Sequence, residues 1–129
     1  MPNLKTIAVV DDDPIYIQAL KNLFTSWKIL NPVLFFENGK EVLDFIRVKE
    51  APALPDILLL DLNMPVMNGW AFMENFAPIA TQLNKNISIY LVTSSIWEED
   101  SKRAEKNPHI KELIVKPILQ KKFREILAG

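Results

Sequence analysis

Ile57-Leu58-Leu59-Leu60-Asp61-Leu62-Asn63-Met64-Pro65 opens on an unbroken apolar run and stops at an acid. An apolar run of strand length without polar alternation marks a strand covered on both faces, the condition of a parallel sheet lying between helices. The same character recurs at Thr6 to Val10, Val33 to Phe36, Ile87 to Val92 and Leu113 to Val115. Between these runs the apolar spacing changes to three and four. Tyr16, Leu20, Leu23, Phe24 and Trp27 fall on one helical face, as do Val42, Leu43, Phe45 and Ile46, and later Leu119, Phe123, Ile126 and Leu127. Asn31-Pro32, Asn38-Gly39, Pro52 to Pro55, Asn68-Gly69 and Asn107-Pro108 mark turns between the elements. Pro78 is expected to end or bend the third helix. Strands alternating with helices predict an α/β fold, a doubly wound five-stranded parallel sheet with right-handed crossovers and helices on both faces.

The 129 residues are apolar to 49%, enough for one ordinary core and too few for a second, so residues 1–129 are read as one domain. Fifteen basic against sixteen acidic side chains leave a formal charge of -1, so no overall field draws the chain to nucleic acid or an anionic membrane. The sequence has no cysteine, which excludes disulfides and thiolate metal sites and agrees with a reducing compartment. Pro2, Asn3, Leu4 and Lys5 do not begin a secretory leader, and no apolar run reaches membrane-spanning length. A cytoplasmic location is expected.

In a doubly wound sheet, ligands collect beyond the carboxyl ends of the strands. Here those ends read Asp11-Asp12-Asp13-Pro14, Asp61-Leu62-Asn63-Met64-Pro65, Thr93-Ser94-Ser95 and Lys116-Pro117. Carboxylates gathered at one rim repel by roughly 4 kcal/mol per pair at about 4 Å and an effective dielectric near 20. A cation relieves that conflict, and an all-oxygen donor set selects a hard ion such as Mg²⁺, with Mn²⁺ a possible substitute. Asp12 and Asp61 would supply carboxylates, and Asn63 its main-chain carbonyl. A carboxylate also serves as nucleophile toward phosphorus, and the phosphoryl oxygens then need positive charge and hydrogen-bond donors. Lys116 and the Thr93 hydroxyl are suited to that task. Asp61 is the better acceptor, because it follows the central strand.

These four segments, in order at successive strand ends, resemble the receiver domains of two-component response regulators, the CheY-like family, over nearly the whole chain. The resemblance implies a flavodoxin-like strand order 2-1-3-4-5. It assigns Asp11 and Asp12 to the acidic pocket with Asp12 the direct metal ligand, Asp61 as phosphoacceptor, and Asn63 as ligand through its backbone carbonyl. Thr93 becomes the switch hydroxyl and Lys116 the phosphoryl partner, with a cis bond before Pro117. Ser94, being small, would leave the phosphoryl group accessible. The implied partners are a sensor histidine kinase or histidine phosphotransfer protein and a downstream protein target. Nucleic acid and membrane are not expected partners, and the chain is expected as a monomer or weak homodimer. One departure stands out. Leu113 lies three positions before Lys116, where most of the family has Tyr or Phe, so a switch built on an aromatic ring turning inward cannot operate in that form.

Blander readings compete at single positions. Asp12 or Asp13 before Pro14 makes a good helix start, and Asp13 is read as a cap or first-turn residue. Ser95 and Glu98 have capping-box spacing, so Ser95 is read as a cap. Trp27, Trp70 and Trp97 are read as packing residues, with an exposed patch at Ile96 and Trp97 as the alternative. His109 is read as a surface loop residue, and Lys121, Lys122 and Arg124 as a solvated helix face. Two other functions compete with this one. A Mg²⁺-dependent phosphatase of the haloacid dehalogenase type would use Asp11-Asp12-Asp13, but Ile15 stands where its Thr belongs. A phosphorylation-independent interaction domain does not explain the clustered like charge.

Overall fold

A computed structural model describes residues 4–64 and 66–129; Met1 to Asn3 and Pro65 of the motif above lie outside the described residues. The strands are β1 (Ile7–Val10), β2 (Val33–Phe36), β3 (Ile57–Asp61), β4 (Ser88–Thr93) and β5 (Ile110–Val115). The helices are α1 (Pro14–Ser26), α2 (Gly39–Val48), α3 (Gly69–Ala80), α4 (Glu98–Glu105) and α5 (Gln120–Ala128), with a short 3₁₀ turn at Ala51–Ala53. All strand pairs are parallel, as the unbroken apolar strands predict, and the order is β2-β1-β3-β4-β5, as the resemblance implies.

The unbroken apolar strands serve two cores at once, because alternate side chains leave opposite faces. Ala8, Val10, Leu58, Leu60, Ile89 and Leu91 pack with Val42 and Ile46 of α2 and with Phe72, Met73 and Phe76 of α3. Ile7, Val9, Ile57, Leu59 and Val92 pack on the other side with Leu20 and Phe24 of α1 and Phe123 and Ile126 of α5. Trp27 joins this second core, its ring centroid 6.4 Å from Phe24 and 5.9 Å from Phe123.

Local chemistry sets the helix ends. Asp13 caps α1, its side chain accepting from the Ile15 N–H, and Pro14 takes the first helical position. At the far end Lys28 is left-handed (φ 58°); its N–H bonds the Thr25 carbonyl at 3.1 Å and that of Ile29 the Phe24 carbonyl at 2.9 Å, a Schellman closure. The two Asn-Gly pairs separate elements as expected, but each does so by starting a helix: Asn38 caps α2 and Asn68 caps α3. Gly69 is required there, since a Cβ would lie 3.0 Å from the Leu62 Cα and 3.3 Å from the Asp61 carbonyl. Helix α3 thereby starts hard against the end of β3.

Several expectations need correction. Ser95 caps nothing, because α4 begins at Glu98 and Trp97 occupies the cap position without a side-chain hydrogen bond. Trp97 is not a packing residue; it is 68% exposed beside Ile96. His109 is half-buried and stands edge-on to Phe76, with ring centroids 5.8 Å apart. Strand β5 starts three residues earlier than the apolar run at Leu113. Pro78 sits inside α3, which ends two residues beyond it at Ala80.

Candidate functional site

The parallel register brings four strand ends to one rim. Val10 lies beside Leu60, Asp61 beside Val92, and Thr93 beside Val115. Main-chain bonds lock the residues that follow: the Asp11 N–H donates to the Phe36 carbonyl at 3.0 Å, Leu62 to Val92 at 2.8 Å, and Lys116 to Thr93 at 2.7 Å. Asp11 and Asp61 are buried and Asp12 is exposed. Carboxylate oxygens of all three lie within 4.8 Å of one another.

Lys116 reaches across this rim. Its Nζ donates to Asp11 Oδ2 at 2.6 Å and stands 3.5 Å from Asp61 Oδ1. The other Asp11 oxygen accepts from the Asp13 N–H at 2.9 Å. Asp61 Oδ1 accepts a long bond, 3.4 Å, from the Asn63 N–H. Asp61 is therefore the less committed of the two buried acids. Burial, and then the Asp11 charge, push its carboxyl up from 3.8 to about 6, against the lowering effect of Lys116 and the Asn63 N–H. Three carboxylates against one ammonium leave the cluster at -2 when all are ionised. Like charges about 5 Å apart at a dielectric near 20 repel by roughly 3 kcal/mol per pair, so this oxygen-only donor set fits a hard divalent cation.

Thr93, 1% exposed, ends β4 at the same rim, and its hydroxyl donates to the Ser95 carbonyl at 3.0 Å. Asn63 follows β3, exposed between the buried Leu62 and Met64. The Lys116-Pro117 bond is cis, as expected. Leu113 pairs with Leu91 in the sheet and packs against the α2/α3 core. The sequence reading gave Tyr16 only a packing role; its ring also lines the site, with Lys116 Nζ 4.2 Å from the ring centroid. Burial, then the charges of Asp11 and Asp61, push the phenol up to about 12, so it stays un-ionised. Its position four residues after Asp12, in the helix turn that follows the acids, was the available signal.

A second polar group ties helix α3 to helix α4. The Trp70 indole N–H donates to Asp100 Oδ1 at 3.2 Å, Arg103 lies over the indole ring at 4.5 Å, and Arg103 also meets Glu74 at 3.2 Å. Helices α3 and α4 are thus clamped together by side chains outside the acidic cluster.

An acidic cup facing a lysine at the carboxyl end of a 2-1-3-4-5 sheet defines a class as well as a place. Residues 7–128 match the response regulator receiver domain, and the chain belongs to that family. It is a receiver module of two-component signalling. The response regulator receiver protein from Dyadobacter fermentans superposes with a TM-score of 0.81 at 28% identity, over 95% of this chain and 94% of that one. The bacteriophytochrome response regulator RtBRR does so with a TM-score of 0.76 at 28% identity, over 97% and 76%. A protein-glutamate methylesterase/protein-glutamine glutaminase from Desulfotalea psychrophila is 35% identical over 79 residues, 61% of this chain and 20% of that protein. The chain thus matches about a fifth of that relative's length. No helix among the described residues is long and apolar enough to cross a membrane.

Proposed function

We propose that Asp61 accepts a phosphoryl group from a phosphohistidine on a sensor kinase or phosphotransfer protein. The observation that carries this reading is the convergence of Asp11, Asp12 and Asp61 within 4.8 Å, spanned by Lys116. An Asp61 oxygen attacks phosphorus, the new O–P bond forms as the donor's N–P bond breaks, and the imidazole nitrogen keeps the electron pair. With its carboxyl near 6, Asp61 is mostly ionised at neutral pH and ready to attack. Asp11 is the poorer nucleophile, because each of its oxygens already accepts a hydrogen bond.

Asp11, Asp12, Asp61 and the Asn63 carbonyl would hold Mg²⁺ or Mn²⁺, which when bound neutralises the acids and draws negative charge from the phosphoryl oxygens. Lys116, hydrogen-bonded at the rim, turns from Asp11 toward a phosphoryl oxygen. Thr93 exchanges its Ser95 partner for another, which moves the β4–α4 loop. The module acts in a cytoplasmic relay rather than as a turnover enzyme, and its output is altered contact with a protein target. Intact-mass analysis after treatment with a small acyl phosphate and Mg²⁺ tests this. Wild type gains one phosphoryl group and Asp61→Asn gains none; equal labelling of the variant rejects the assignment.

A further inference from the structure

Lys116 has to be held at the rim by something other than the acids it serves. Its four-carbon stem is flexible, and water lies close by, since the side chain is 18% exposed. Its partners Asp11 and Asp61 are also the donors a divalent cation would take, so their hold on the ammonium weakens when a cation shares them. The face of an aromatic ring attracts an ammonium without competing for a metal. Tyr16 offers such a face, with Nζ 4.2 Å from its centroid.

The acids themselves fix where that ring stands. Asp13 caps α1 through the Ile15 N–H at 2.9 Å, and its own N–H bonds Asp11 at 2.9 Å, so the segment that supplies the carboxylates also orients the first turn bearing Tyr16. Away from the acids and the ammonium, the ring packs on the core formed by α1 and α5. An aliphatic side chain would satisfy those contacts equally well; only the neighbouring ammonium calls for a π face.

We propose that Tyr16 is a positioning residue for Lys116, its ring holding the ammonium over the carboxylates while they are engaged elsewhere. The proposal rests on the reading that Lys116 meets the phosphoryl group. Two measurements separate them. In NMR spectra of the metal-free protein, the Lys116 Hε signals lie upfield of those of lysines away from any ring, such as Lys121, in wild type and Tyr16→Phe, and return to that position in Tyr16→Leu. With a small acyl phosphate and Mg²⁺, Tyr16→Leu is labelled roughly three- to tenfold more slowly, while Tyr16→Phe restores the wild-type rate. Unshifted Lys116 signals in wild type overturn the proposal, as does wild-type labelling of a folded Tyr16→Leu. Wild-type labelling of Lys116→Met overturns instead the role of Lys116, a failure that the Hε shifts distinguish from loss of the stack.

Discussion

Replacing Asp61 with Asn should make the metal-free protein more stable while abolishing its chemistry. Asp61 is held at about 6 in the fold against an ordinary 3.8, so the native state binds its proton more tightly than the unfolded chain. Its contribution is therefore most favourable below about pH 4, declines as pH rises to about 6, and levels off above. Each factor of ten in proton affinity is worth about 1.4 kcal/mol, which caps the penalty near neutrality at about 3 kcal/mol; water at the open side of the rim screens the charge and brings it to about 1–2 kcal/mol. Asn keeps the shape and removes the charge. Urea unfolding without divalent ions should show Asp61→Asn about 1–2 kcal/mol more stable than wild type at about pH 8, with the gap falling below about 0.5 kcal/mol by about pH 4. In thermal scans at the higher pH the difference is on the order of 5 °C. An Asn variant no more stable than wild type at about pH 8, or a gap indifferent to pH, would refute the view of the rim as a frustrated charge cluster.

Mg²⁺ should stabilise wild type by about 2.7 kcal/mol when its concentration is about a hundred times the dissociation constant. A thermal-shift titration should show that gain much reduced in Asp12→Asn, and an equal gain in the two proteins would remove Asp12 from the site. Lys28→Gly should add about 0.5–1 kcal/mol in denaturant melts by relieving the left-handed position after α1, with phosphorylation unchanged. On phosphorylation, the amide resonances of Thr93 and of Ser94 to Glu99 should move even though Leu113 supplies no ring to follow them; unchanged resonances contradict a switch at the end of β4.

How much the sequence revealed depended on how each residue meets water. Ile57 to Leu60 and Ile7 to Val10 are buried on both faces, so an unbroken apolar run identified them and the sheet type together. Strand β5 is an edge strand, and Lys111 and Glu112 face solvent, so the apolar criterion found only its second half. The acids and Lys116 were legible because a parallel sheet delivers strand ends to one rim regardless of loop detail. Ser95 misled because capping-box spacing says nothing about where the helix starts, and α4 begins later. Trp97 misleads because bulk and hydrophobicity favour burial without ensuring it. Tyr16 was found, but half understood: periodicity reports which face of a helix looks inward, and not which charge waits there.

The bond from Trp70 to Asp100, with Arg103 laid over the indole, fastens α3 to α4 through side chains that the cup does not use. Substitutions there remove neither the carboxylates nor their lysine, and they alter how firmly the fourth helix is moored. Chemistry and message can therefore diversify separately: a lineage could retune what the domain tells its listener without relearning how to take the phosphate.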